Sequence, residues 1–290
     1  MTHIACIQSL RIKRRLLHLL VAVVLSGFFL PVHAEERSVL KVCADPYFPP
    51  FSTKKTDGFE NKIAALLAKD LGLPVEYTWF PQRMGFIRNT LRAEREDGRG
   101  YKCDLVMGLP DEYELAITTD PYYRSTYALV FLDNSKLNKI QTAEDLLNLD
   151  KTERDKLRIG MTERSPGGRW MAKYQMHEQI APYIAQSGDP NEYPGEPMLN
   201  DINAGKIDAA IIWGPTAGLF KQLQPRIRVI PLKSEPGVKF DFAISAGVRF
   251  GDKEWKNEVD KLLKQNSEEI TRLLHEYRIP LVDDKGALLK

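Results

Sequence analysis

Five groups of side chains have the types and spacing of a binding site. Asp45, Tyr47, Phe48 and Phe51 follow the short apolar run Val39–Val42, in a loop broken by Pro46, Pro49 and Pro50. Gln82, Arg83 and Phe86 follow the alternating run Val75, Tyr77, Trp79, and Tyr122, Tyr123 and Arg124 follow the turn at Asp120-Pro121. Further along, Arg164 and Ser165 precede Pro166, and Trp213 ends the apolar run Ala209–Trp213. Aromatic rings with a few arginines suit a flat organic ligand or a protein surface. The same rings could also serve as packing between two halves of a fold. Ser165 with two nearby arginines, Arg164 and Arg169, reads equally as an anion-binding helix start or as an ordinary cap with solvated charges.

Catalytic chemistry is not written in the chain. His177 and His275 stand alone, without metal-ligand spacing, and neither a G-x-S-x-G elbow nor a P-loop is present. No catalytic residue and no metal ligand is therefore assigned.

The elements that must position these residues alternate between strand and helix. Ile63, Leu66, Leu67 and Leu71 recur at helical spacing before Gly72, so Val39–Phe80 reads as strand, helix, strand. In open α/β sheets, ligands sit at the carboxyl ends of the strands, where the first loop lies. Strands are expected over Asp104–Met107, Thr126–Leu132, Leu157–Met161, Ala209–Trp213, Arg226–Pro231 and Phe242–Val248. Thr142 and Ser165 are expected to cap helices, Met198–Ala204 to be helical, and Trp255–Tyr277 to form one long terminal helix. The pattern predicts an α/β fold with a mixed, mainly parallel sheet. Breaks near Leu132–Lys139 and Pro231 divide it into a discontinuous first lobe, 35–132 plus 230–290, and a second lobe, 133–229, with two crossings at a hinge.

The first 34 residues read as a cleavable export signal. Arg11, Lys13, Arg14 and Arg15 precede the apolar run Leu16–Leu30, and Val32-His33-Ala34 matches a small-x-Ala cleavage site. Cleavage near Ala34 leaves 256 residues with 37 Lys and Arg against 39 Asp and Glu, a formal charge of −2. That balance gives no reason to expect nucleic acid as a partner, and no later run is long and apolar enough to span a membrane. The implied location is the periplasm. Nothing in the chain forces a dimer, so a monomer is expected.

Cys43 and Cys103 remain after cleavage, and an oxidising compartment favours their pairing. Against it, parallel strands in simple register would offset them by about 13 Å, whereas a disulfide needs alpha carbons within roughly 7 Å. Both outcomes stay open on the sequence.

The motifs LKVCAD…PPFS, GFENKIAALLAKDLG, CDLVMGLP, TTDPYYRSTYALV, LRIGM and GKIDAAIIW resemble the type II periplasmic solute-binding proteins of polar amino-acid importers. VCADP, GFENKIAALLAKDLGLPVEYTWFPQR, CDLVMG and PYYRSTY in that order resemble the J proteins encoded beside quinoprotein methanol dehydrogenases, the MxaJ/XoxJ type. The resemblance implies a two-lobed fold with a cleft. It also implies a non-enzymatic accessory role in the assembly or activation of a methanol or alcohol dehydrogenase dependent on pyrroloquinoline quinone (PQQ). The dehydrogenase, and its cytochrome c, would be the partners. PQQ and its calcium or lanthanide ion would belong to the dehydrogenase, and this chain would bind no cofactor.

Amino-acid-binding members hold the ligand carboxylate with an Arg and its ammonium with an Asp. In this chain the Arg position aligns with Glu112 or Tyr113, the Asp position with Trp213, and the Gly-Thr of the second lobe with Arg164-Ser165. A standard α-amino acid is thus a poor match. The alternative is the receptor of an importer for another small organic ligand. An enzyme of the cyclohexadienyl dehydratase kind has only the fold in its favour.

Overall fold

The computed structural model describes residues 37–133, 135–185, 189 and 191–289. The export signal expected over 1–34 lies outside the described residues, as does Asn134 of the polar link after Asp133.

The strands are β1 (Leu40–Ala44), β2 (Tyr47–Phe48), β3 (Ser52–Thr53), β4 (Val75–Trp79), β5 (Leu105–Pro110), β6 (Ile117–Thr118), β7 (Tyr123–Leu132), β8 (Ile159–Thr162), β9 (Ile180–Tyr183), β10 (Ala209–Trp213), β11 (Ile227–Pro231) and β12 (Asp241–Val248). The helices are α1 (Phe59–Leu71), α2 (Phe86–Asn89), α3 (Ala143–Leu147), α4 (Lys151–Arg154), α5 (Pro166–Lys173), α6 (Glu196–Asn203), α7 (Gly214–Leu223), α8 (Lys253–Gln265) and α9 (Ser267–Glu276).

The main sheet runs β4-β1-β5-β12-β7-β10-β8-β9, with β11 on β7 and β6 on β12. Its two ends are parallel, β4-β1-β5 and β10-β8-β9, while β12, β7 and β11 run antiparallel through the middle. β7 ties the halves together. Tyr123–Thr126 pairs with β12, whereas Tyr127–Val130 pairs with β10 and Ala128–Leu132 with β11.

The core follows the same division. Leu40, Phe59, Ile63, Leu105, Ile244 and Trp255 share one buried cluster. Leu129, Phe131, Ile159, Ile211, Leu232 and Phe240 share another, backed by a third around Val130, Ile212 and Phe220. By core membership, residues 128–132 and 230–240 therefore group with 133–229. β7 and β11 pair as one ladder across the expected limits at 132 and 230.

α1 forms as the spacing predicts. Ile63, Ala64, Leu67 and Ala68 are buried, and Gly72 ends the helix in the left-handed region at φ 67°. Thr142 closes a reciprocal capping box with Asp145. The terminal helix differs from expectation. It is two helices separated at Asn266, whose φ of −95° and ψ of 11° leave the helical path while its side chain donates to Asp70. α7 was not anticipated. Gly214 lets it start against the β7 crossing, where a β-carbon would lie 2.4 Å from the Ser125 Oγ and 2.5 Å from the Thr126 carbonyl. The segment after α9 returns as a strap, with Leu281 bridging Ser125 and Val282 bridging Leu288.

Cys43 and Cys103 form a disulfide with alpha carbons 5.4 Å apart. The offset argued from simple register fails because Cys103 lies two residues before β5 and outside the ladder, where Val106 is the partner of Cys43. The chain around Cys103 is held by Arg249, which donates to the Cys103 carbonyl at 2.6 Å, pairs with Asp104 at 2.8 Å and covers the Tyr101 ring.

Candidate functional site: an aromatic cleft with a buried carboxyl

A cavity of about 400 Å³ opens where the two core groups meet, lined by Phe48, Phe51, Glu60, Gln82, Gly108, Pro110, Tyr127, Trp213, Phe242 and Ile244. The sheet brings these together from both halves. The β2–β3 turn supplies Phe48 and Phe51, which stack at 4.5 Å. Tyr127, Trp213 and Phe242 come from β7, β10 and β12, and lie opposite one another because Trp213 pairs with Tyr127 in the ladder. Their centroids are 5.3, 6.0 and 6.3 Å apart, with planes inclined by 58–70°. The three rings thus form a corner rather than a stack.

Glu60 stands in the first turn of α1 and is 7% exposed. Burial, and then the charge of Asp45, push its carboxyl up to about 8. Its Oε1 occupies the space a β-carbon at position 108 would need, which is why Gly108, at φ 71°, stands there. Tyr122 accepts the Gly108 N–H on its hydroxyl at 3.1 Å. Burial, and then the Glu60 charge, keep the Tyr122 and Tyr123 phenols well above their usual range.

The residues singled out from sequence fall into separate places. Phe51, Gln82 and Trp213 line the cavity. Asp45 organises its floor, accepting the Tyr47 N–H at 2.8 Å and the Gln82 N–H at 2.5 Å. Tyr47 stands at the mouth, edge-on to Tyr193 at 5.9 Å, and Arg83 donates to the Asp189 carbonyl across the same mouth. Arg124 is engaged by Asp241 at 2.8 Å. Arg164 is exposed at a left-handed φ of 62°, and the Ser165 side chain makes no cap bond, its Oγ being buried without a partner.

Two of those residues are corrected. Phe86 is buried with Ile87, Leu91 and the disulfide on the far side of β1 and β5, because α2 turns its apolar face to that small core. Tyr123 is buried against Phe59 in the first core rather than lining the cavity. Glu60, Tyr127 and Phe242 were not singled out. Glu60 reads in sequence as an ordinary first-turn acid, complementing the helix dipole.

Among the described residues no group of His, Cys, Asp or Glu gathers as a metal site, and no helix is long and apolar enough to cross a membrane.

No protein-family model matches the chain. The solved structure of periplasmic binding protein XoxJ from Methylobacterium extorquens AM1 is 31% identical, with a TM-score of 0.66, and the match covers 84% of this chain and 100% of that one. The chain belongs to the XoxJ/MxaJ family. MxaJ from Methlophaga aminisulfidivorans MPT shares the fold at TM-score 0.67 and 24% identity, covering 84% of this chain and 100% of that one. Protein MoxJ from Methylorubrum extorquens (strain AM1) is 23% identical over 262 residues, 85% of this chain and 83% of MoxJ. This J protein has the type II periplasmic binding fold, and XoxJ, its 31% identical relative, is a periplasmic binding protein.

Proposed function

We propose that this J protein is a non-enzymatic periplasmic accessory that binds a PQQ-dependent methanol or alcohol dehydrogenase and assists its assembly or activation. The observation that carries this reading is the likeness to XoxJ over the whole of that chain. The cleft is consistent with it, because the positions that would hold an amino acid's charges carry Trp213 and the Glu112–Tyr113 turn. The mouth offers apolar surface for a protein contact. Met84 is 98% exposed and Ile184 71%, beside the Arg83–Asp189 and Tyr47–Tyr193 contacts. PQQ and its calcium or lanthanide ion would reside in the dehydrogenase, whose cytochrome c is the second expected partner. The export signal, cleaved near Ala34, would deliver the chain to the same compartment.

The test is capture from native periplasm with tagged, signal-cleaved protein. Co-elution of a PQQ dehydrogenase is expected. A purified chain that neither captures the dehydrogenase nor alters its activity would end this reading.

The aromatic lining of the open cavity favours one second reading, a receptor for a small organic ligand. Native mass spectrometry of protein purified from periplasm would show a defined added mass in that case and none otherwise.

A further inference from the structure

Three properties of the cleft point in one direction, and none depends on the dehydrogenase reading. First, Tyr127, Trp213 and Phe242 present planes inclined by 58–70°, so a compact guest would touch more than one π face. Flat ligands are better served by parallel rings, whereas inclined rings suit a rounded group. Second, Phe242 already holds a cation over one face, the Lys239 ammonium 5.2 Å from its centroid, so a guest in the corner meets the other face together with Tyr127 and Trp213. Third, the acid in the lining, Glu60, has neither a hydrogen-bond donor nor a cation acting on its carboxyl among the described residues. What acts on it is burial and Asp45.

We infer that the cleft is a receptor site for a small organic ammonium ion, seated in the corner of Tyr127, Trp213 and Phe242 with the Glu60 carboxylate as counter-charge. The cavity, about 400 Å³, holds such an ion with room for a short substituent. A buried carboxylate without a partner is costly, and a cation supplies the partner. The rings contribute through their quadrupoles, most strongly from the indole. Glu60 does not occupy the position of the ammonium-binding Asp of amino-acid receptors, where Trp213 stands. The site therefore asks for an ammonium without a neighbouring carboxylate.

The titratable groups facing Glu60 are Asp45, Tyr77, Tyr122 and Tyr123. The phenols are held in their protonated forms by burial, so Glu60 is the group that changes charge between pH 6 and 9. Binding of a cation then releases a proton. Affinity should rise about tenfold per pH unit below 8 and level off above it.

The experiment is calorimetric titration of the signal-cleaved chain with choline and with its uncharged isostere 3,3-dimethyl-1-butanol, at pH 6, 7.5 and 9. Binding of choline at least tenfold tighter than the isostere, strengthening with pH, is expected. Glu60→Gln, which removes a charge and keeps the shape, should lose both the preference and the pH dependence. Trp213→Phe should weaken choline several-fold while leaving the pH dependence in place. Equal affinity for the two probes, no binding of choline at any pH, or an unchanged Glu60→Gln profile would overturn the proposal. Because no dehydrogenase is present, none of these outcomes bears on the accessory reading.

Discussion

Glu60 places an ionisable group where ionisation is resisted, and that determines how it acts on folding. Its folded carboxyl holds a proton up to about pH 8, against 4.5 in an unperturbed chain. The tighter proton binding stabilises the fold fully below pH 4.5, and that contribution is lost as pH rises toward 8. At pH 7 the loss is on the order of 3 kcal/mol. Glu60→Gln should therefore unfold later than the parent at pH 7–8 and similarly at pH 4. Chemical denaturation at both pH values tests this; a difference that does not grow with pH would refute it. Gly108→Ala strikes the same contact from the other side. It forces a β-carbon to within 2.0 Å of the Glu60 Oε1 at a positive φ, and a loss of about 1–3 kcal/mol is expected in the same measurement. Neither residue was legible as part of a site. A first-turn acid and a glycine after a strand each have a common local explanation, and only the approach of α1 to β5 joins them.

At the scale of elements, periodicity was informative wherever one face of a single element is buried. β1, α1 and β4 follow from Val42, Ile63, Leu67 and Tyr77, and β10 matches its expected run residue for residue. It was uninformative where a break has no residue signature. Asn266 separates α8 from α9 within an unbroken amphipathic pattern, and Gly214-Pro215 conceals the start of α7 behind two residues that usually mark loops. The disulfide belongs here too. Register arithmetic assumed a strand where the chain bends, so the cross-link could be reached only from the folded form. It closes a separation of 60 residues, and the Cys43→Ser/Cys103→Ser double variant should lose about 2–4 kcal/mol. Thermal unfolding of this variant beside the parent, the latter with and without reductant, provides the check. The loop at 101–104 keeps its Arg249 contacts in the variant, so a folded but less stable protein is expected.

At the scale of the molecule, the two readings of function use different surfaces. The ammonium site is inside the cleft, while Met84 and Ile184 stand outside it. Met84→Glu together with Ile184→Glu should therefore abolish dehydrogenase capture while leaving thermal stability within about 0.5 kcal/mol and choline titration unchanged, since exposed side chains contribute little to folding. Retained capture by this variant would move the contact surface elsewhere. The overall architecture was legible from the alternation of elements and the resemblance of their motifs. The sharing of β7 between the two core groups was not, because a single apolar strand carries no mark of the partners it pairs with.

That shared strand has a mechanical meaning. Between Ser125 and Tyr127 the chain is bonded on every side. The Ser125 hydroxyl donates to Pro280, Thr126 to Leu232, and the Tyr127 amide to Phe240, while the Arg124 carbonyl receives the Val282 amide. Any widening of the cleft must flex a braced ribbon rather than swing on slack loops, so the crossing behaves as a leaf spring with a preferred set. Amide exchange at Thr126 and Tyr127 should be among the slowest in the protein; fast exchange there would show a true joint. A sprung jaw returns to rest without help once its guest departs, and the stiffness of a few crossing bonds, more than the grip of the rings, would then govern how long the guest stays.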